Sequence, residues 1–145
     1  MFEKLFLLVK DNAGMAVIDN PVIPEKYHEA VINEASSAII EVLKTQVENG
    51  KIKELIKYFK YPDIYYNPVV SIAVNKFANR LNRYYGITPA SAITTAKNLI
   101  PAVMQQLVEQ SQNEHNTDFG LANFLSKFMG NRSDMSTLVN KLVTA

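Results

Sequence analysis

Apolar residues recur along this chain at intervals of three and four, the spacing that places side chains on one face of an α-helix. Proline marks three predicted helix starts, at Pro24, Pro68 and Pro89, and glycine marks three predicted ends, at Gly50, Gly86 and Gly130. No segment shows the alternation of apolar and polar residues that is typical of a strand. The sequence therefore predicts an all-α fold, a single-domain bundle of about seven helices joined by short loops.

The fifth predicted helix contains a proline. Pro101 removes one backbone donor and crowds the carbonyl group of Lys97, so we expect a kink there. The polar stretch 111–117 that follows is typical of a loop. The seven segments that carry the helical pattern are approximately 2–17, 24–49, 52–59, 68–85, 89–110, 118–129 and 134–143.

Length and composition favour one folded unit. The chain has 145 residues, of which 48% are apolar and 20% charged, the balance of a globular domain rather than of a disordered chain. We expect a single domain over 1–145. A subdivision into 1–61 and 62–145 stays open, because an apolar pattern recurs after 61 residues. The residues concerned are Ile32, Ala35, Ile39 and Val42, which align with Ile93, Ala96, Ile100 and Val103.

The sequence also excludes several classes of protein. It contains no cysteine, which rules out disulfides, thiolate catalysis and cysteine-ligated metals. No apolar run reaches the roughly 20 residues that span a bilayer. The apolar run 2–9 is too short for a secretory signal and has no basic segment before it. We therefore expect a soluble, cytoplasmic protein with no membrane partner.

Patterns that indicate chemistry are sparse. Glu25 and His28 have the spacing of a metal-ligand pair on one helical face, but no second Glu-x-x-His completes a di-metal site. The Gly-x-Ser-x-Gly turn of serine hydrolases is absent, as are the Walker and Gly-x-Gly-x-x-Gly phosphate loops. We expect no catalytic residue, no metal, no cofactor and no small-molecule ligand, and nothing in the sequence specifies an enzyme.

The net charge of +1 conceals an uneven distribution. Residues 1–50 carry a net charge of −4, residues 51–85 carry +5, and residues 86–145 are neutral. The basic middle region interleaves lysine and arginine with tyrosine, a pattern that indicates phosphate contact with base stacking on a nucleic-acid-binding surface. The alternatives are a solvated face, or ion pairs with the acidic first third. The candidate nucleic-acid-binding residues are Lys57, Lys60, Lys76, Arg80, Arg83 and Tyr84.

A helix-turn-helix made of the fourth and fifth predicted helices is a more specific version of the same hypothesis. The second of these helices offers Ser91, Thr95 and Asn98 but no arginine, and Pro101 interrupts it. Such a helix reads base edges poorly, so we rank this version below the general one.

The segment 86–108 combines a glycine-led helix start with a later Ile-Pro step and an apolar pair. Gly86, Ile100, Pro101, Val103 and Leu107 carry this pattern. In these features the chain resembles the YidB-like family, small bacterial all-helical proteins of unknown function. The resemblance implies a helical fold and a bacterial source, and it brings no catalytic residue to this sequence.

The first predicted helix is apolar nearly all round at its start. Such a helix is either deeply buried or in contact with another chain. The sequence contains no recognisable set of catalytic residues, so the leading interpretation is a non-catalytic helical interaction or scaffolding module. A homo-oligomer is a possible assembly. Nucleic-acid binding by the basic, Tyr-rich region 51–85 is the alternative. The apolar residues of this first helix are Phe2, Leu5, Phe6, Leu7, Leu8 and Val9.

Overall fold

A computed structural model describes residues 2–62 and 68–112, and within these ranges the chain is all-α, without a strand. The fold class predicted from the sequence is confirmed. The predicted helices over 118–129 and 134–143 lie outside the described residues. The elements are α1 (Phe2–Asp11), a π-helical turn (Gly14–Ile18), a short 3-10 turn (Glu25–Tyr27), α2 (His28–Glu48), α3 (Ile52–Lys60), α4 (Val69–Tyr85) and α5 (Pro89–Gln112).

Helices α2 and α4 pack side by side and run in opposite directions. Near one end of the pair, the rings of Tyr27 and Tyr85 meet edge to face with their centroids 5.5 Å apart. Further along, Lys76 of α4 lies 3.4 Å from Glu41 of α2. Residue numbers therefore rise along α2 as they fall along α4, which is the arrangement of an antiparallel pair.

The segment that begins with α1 runs antiparallel to α5. Asn12 exchanges side-chain amide hydrogen bonds with Gln106 at 3.1 and 3.0 Å. Eight residues later, Asn20 donates to Thr95 at 3.0 Å. Since α1 also packs against α2, and α4 against α5, the helices α1, α2, α4 and α5 form a closed ring of four. The short α3 packs against α2 and α5.

One continuous hydrophobic core fills this ring and draws on residues from both sides of position 61. The apolar stripes predicted for the second and fifth helices face it: Ile39 and Ile100 are fully buried. The largest fully buried side chains are Phe59, Phe77, Leu5, Ile39, Leu43, Leu55, Leu81, Leu99, Ile100, Met104 and Leu107.

The first helix differs from its predicted range of 2–17, because α1 ends at Asp11. The turn that follows is tighter than an α-helical turn, and the one after it is wider. Ala13 donates to Lys10 at 3.2 Å, a three-residue step, and Ile18 donates to Ala13 at 3.0 Å, a five-residue step. Gly14 lies at the change of geometry. Glycine loses more conformational entropy in a helix than the residues near it do, and this explains why regular α-helix ends before Gly14.

Two of the proline-marked starts also shift. Pro24 has an extended backbone (ψ 144°) and precedes the 3-10 turn, so α2 becomes α-helical only at His28. Pro68 precedes α4, which starts at Val69. The start of α5 at Pro89 and the left-handed cap at Gly86 (φ 65°) agree with the prediction.

Helix α5 continues through Pro101, whose side chain is exposed, and ends at Gln112, inside the stretch predicted as a loop. The rest of that stretch lies outside the described residues, and the kink at Pro101 stays a prediction. Within the described ranges, none of the helices is long and apolar enough to cross a membrane.

Candidate functional site

A line of paired charges joins α2 to α4. Arg80 is the hub, with a side chain only 18% exposed. One terminal nitrogen lies 3.4 Å from a carboxylate oxygen of Glu34 and donates to the hydroxyl of Ser37 at 3.3 Å, and the other contacts Glu41. Lys76 also reaches Glu41, at 3.4 Å. We call these five residues the α2–α4 seam.

Helical periodicity explains how the seam assembles. On α2, positions 34, 37 and 41 share one face, and on α4, positions 76 and 80 share one face. Antiparallel packing brings the acidic face against the basic one. Phe77 and Leu81, each next to a seam cation in the sequence, point into the core instead. The apolar packing therefore sets the register in which the charges meet.

The seam continues into an aromatic contact at the start of α2. The ammonium group of Lys26 lies 5.0 Å from the ring centroid of Tyr27, which packs on Tyr85. Burial raises the pKa of the Tyr85 hydroxyl above its usual 10.0, and the negative charge of Glu34 raises it further. This phenol therefore stays protonated at neutral pH, and its ring packs on Tyr27.

The six candidate nucleic-acid-binding residues separate into two groups. Lys76, Arg80, Arg83 and Tyr84 line one open groove along α4 together with Asn79 and Asn82. Within this groove Lys76 and Arg80 already contact carboxylates of α2, whereas Arg83 and Tyr84 are exposed.

Lys57 and Lys60 belong to α3, which follows the other end of α2. Helix α2 has 21 residues and is therefore about 30 Å long. Tyr85, at the end of α4, packs beside the start of α2, so Arg83 and Tyr84 lie near the opposite end of α2 from α3. The structure thus does not gather the six candidate residues into one compact basic patch.

A second surface was not singled out by the sequence patterns. The connection between α1 and α2, residues 12–24, forms an elbow that carries exposed apolar side chains. Met15 is 88% exposed, Ile18 47% and Val22 44%. These residues recur at intervals of three and four, and that spacing alone predicts a buried stripe. The π-helical turn instead buries Ala16 and Val17 and directs Met15 outward.

Asn20 holds the elbow in place. Its side-chain amide donates to the carbonyl of Ala16 at 3.0 Å and to the hydroxyl of the buried Thr95 at 3.0 Å. Its side-chain oxygen accepts from the backbone N–H of Val22 at 3.1 Å. One side chain therefore ties the π-helical turn, the loop after it and α5 together.

An open groove, which we call the elbow groove, runs between the elbow and the start of α2. It is lined by residues of the stretch 18–25 and by His28. A ring nitrogen of His28 lies 3.2 Å from the carbonyl oxygen of Ile23, which ties the groove wall to α2. Glu25 and Asp19 are exposed along it. Although three potential ligands line this groove, no group of three His, Asp or Glu residues in the described ranges is arranged to hold a metal ion.

The polar interior is satisfied throughout the described part of the chain, where no buried side-chain nitrogen or oxygen lacks a hydrogen-bond partner. Ser36, for example, donates to the carbonyl of Ile32 at 3.0 Å. Within those ranges the buried polar side chains thus bond within the fold, and none of their buried atoms is left unpaired beside a groove.

A scan against protein-family models, a search of curated proteins and a search of solved structures each found no match. The resemblance of residues 86–108 to the YidB-like family therefore stays a prediction.

Proposed function

We propose that this chain is a non-catalytic helical interaction module that works by contact with other protein chains. The observation that carries the proposal is the elbow, on which Met15, Ile18 and Val22 expose apolar side chains within eight residues. Single exposed apolar residues are common on protein surfaces, but a cluster in one rigid segment is typical of a protein-binding surface. Met15 in addition has the flexible, polarizable side chain found on adaptable interfaces.

The ion pairs between α2 and α4 support the same proposal. In the seam, Glu34, Glu41, Lys76 and Arg80 are engaged with one another across two helices. Such pairs fix the register of a helix pair, and they join α2 to α4. A bundle that presents neighbouring apolar side chains at its elbow is suited to docking.

Site-specific crosslinking tests the proposal. A photoreactive side chain is placed at position 15, and a matched one replaces Lys44, which is exposed toward the far end of α2. We expect position 15 to crosslink to a discrete protein, a second copy of the chain included, and position 44 to give no such product. Sedimentation velocity over a range of concentrations identifies self-association directly. Equal labelling at both positions, or none at either in a strictly monomeric protein, would contradict the proposal.

Nucleic-acid binding stays the alternative, and the groove along α4 is the observation that favours it. Arg83 and the 62%-exposed Tyr84 offer a cation and a ring side by side. If this groove binds DNA or RNA, Arg83→Ala should lower the slope of the logarithm of affinity against the logarithm of salt concentration by about one. The pair Lys57→Ala and Lys60→Ala serves as the comparison at the other end of α2. No affinity at low salt would remove this alternative.

A further inference from the structure

We infer that the elbow groove docks a basic segment of a different protein, one in which lysine or arginine adjoins apolar side chains. This inference rests on the proposed function and names the partner chemistry of the elbow. Three features of the described residues carry it, namely the apolar surface of the groove, the charge along it and the rigidity of its walls.

The apolar part of the surface comes from Ile18 in the groove and from Val22 on the segment that forms it, each a little under half exposed. Ile23 closes the groove from the core side and is buried. Apolar side chains of a partner would therefore find partly exposed aliphatic groups over a fixed base, and covering them removes apolar surface from water.

The charge around this surface has one predominant sign. Asp19 and Glu25 line the groove, and neither makes an ion pair with any described residue. Residues 11–29 contain four acids and a single cation, Lys26, whose ammonium group lies over the ring of Tyr27. A partner segment that brings cations beside its apolar groups gains electrostatic attraction here, and an acidic segment is repelled.

Hydrogen bonds within the chain fix the walls of the elbow groove in the absence of a partner. Asn20 uses its side-chain donor and acceptor groups on Ala16, Val22 and Thr95, and His28 contacts the carbonyl of Ile23. A groove fixed in this way loses little conformational entropy on binding, which favours docking of a short segment.

The most basic of the described helices is a poor source of the segment in a second copy of the chain. The basic helix α3 comes closest in composition, but its apolar residues Leu55, Ile56 and Phe59 are buried in its own core. Presenting them to another copy would require α3 to leave the fold. We therefore assign the groove to a basic, apolar segment of another protein on the strength of its exposed acids and aliphatic groups. Binding of a second copy at the groove, which sedimentation velocity detects, would contradict this assignment.

Fluorescence anisotropy with synthetic peptides tests this on the full-length chain. The probe is an amphipathic peptide of about 14 residues made of leucine and lysine, and the matched peptide has glutamate in place of lysine. We expect the lysine peptide to bind and the glutamate peptide to bind at least ten-fold more weakly. The double variant Asp19→Asn and Glu25→Gln should weaken the lysine peptide about five-fold, because it removes two exposed charge pairs.

Ile18→Ser should weaken the lysine peptide about three-fold through lost apolar contact. The matched control is Glu48→Gln, which removes one exposed acid at the far end of α2 and should change affinity by less than about two-fold. Unchanged thermal unfolding curves verify that each variant is folded.

Three outcomes of the peptide measurements overturn the inference: equal binding of both peptides, no binding of either, or an effect of Glu48→Gln as large as that of the groove variants. The last would indicate general charge attraction rather than docking. If position 15 still crosslinks to a protein when the lysine peptide fails, only this inference is wrong. If crosslinking fails as well, the proposed function is wrong with it.

Discussion

The seam and the elbow groove both use acids from the first third of the chain, yet in opposite ways. In the seam, Glu34 and Glu41 face the cations of α4 at contact distance. At the elbow, Asp19 and Glu25 are exposed beside apolar side chains and have no ion pair among the described residues. The position of an acid relative to a packed helix, rather than its place in an acidic segment, thus decides whether it is paired within the fold or left exposed.

The two regions also differ in what lies beneath them. The seam borders the core through Phe77 and Leu81, whereas the elbow rests on the small side chain of Ala16, on Val17 and on the hydrogen bonds of Asn20. We therefore expect changes in the seam to act on stability and changes of the exposed side chains of the elbow to act on binding. Asn20, which ties the elbow to α5, should act on stability instead. Four predictions test this division, starting with the largest effect.

Phe77→Ala should lower the free energy of unfolding by about 3–5 kcal/mol, because it leaves a cavity behind the seam. Urea unfolding measures the change, and Tyr84→Ala on the same helix is the control, with an expected effect below about 0.5 kcal/mol. If Phe77→Ala is less harmful than Arg80→Ala, the ion pairs rather than the core hold α4 to α2.

Arg80→Ala should lower the free energy of unfolding by about 1–3 kcal/mol, because Glu34 and Ser37 lose a half-buried donor. Lys76→Ala should lower it by about 0–1 kcal/mol, since that pair is more exposed. A double-mutant cycle between Arg80 and Glu34 isolates their coupling. Equal effects of the two single variants would show that exposure does not distinguish these pairs.

Asn20→Ala should lower the free energy of unfolding by about 1–2 kcal/mol, because Thr95 and the Val22 amide lose their partner. Hydrogen exchange should accelerate at the Val22 amide before the rest of the bundle is affected. Asn20→Asp keeps an acceptor for Val22 but loses the donor to Thr95, so it should protect that amide better than alanine does. Uniform acceleration across α4 and α5 would contradict a local role for Asn20.

Tyr85→Phe should flatten the loss of stability at alkaline pH. The pKa of Tyr85 is raised in the folded protein, so the protonated phenol contributes to the free energy of unfolding. This contribution of Tyr85 is complete below about pH 10 and is lost as the pH rises through the folded-state pKa. Glu34→Gln should flatten the loss in the same direction, since Glu34 is one cause of the shift. Urea unfolding between pH 8 and 11 measures it. Asp19→Asn at the elbow is the control and should leave the alkaline slope unchanged.

Local signals in the sequence located much of the helical framework. The α3 range, the start of α5 at Pro89 and the glycine cap at Gly86 all follow from residues within a few positions of each element. The end of α1 and the start of α2 were misplaced. There, the entropic cost of Gly14 and the extended backbone at Pro24 compete with an apolar pattern that favours a longer helix.

The candidate site was less accessible to sequence reasoning. The basic region 51–85 was treated as one feature, although α3 and the end of α4 lie at opposite ends of α2. Ion pairs between the acidic first third and the basic region were one of the alternatives, but the sequence did not indicate which residues would form them. Arg80 and Glu34 are 46 residues apart in sequence, and no local pattern relates them.

Patterns within the sequence were enough to show that the chain is helical and where its uneven charge lies, because helix propensity, periodicity and capping are local properties. Which charges neutralise each other, and which apolar residues stay exposed, depends instead on how the helices pack. Arg80 meets its acids because α2 and α4 pack antiparallel, and Met15 faces outward because a π-helical turn changes the phase of its stripe. Both outcomes depend on how elements far apart in sequence, or out of phase with one another, fit around a single core.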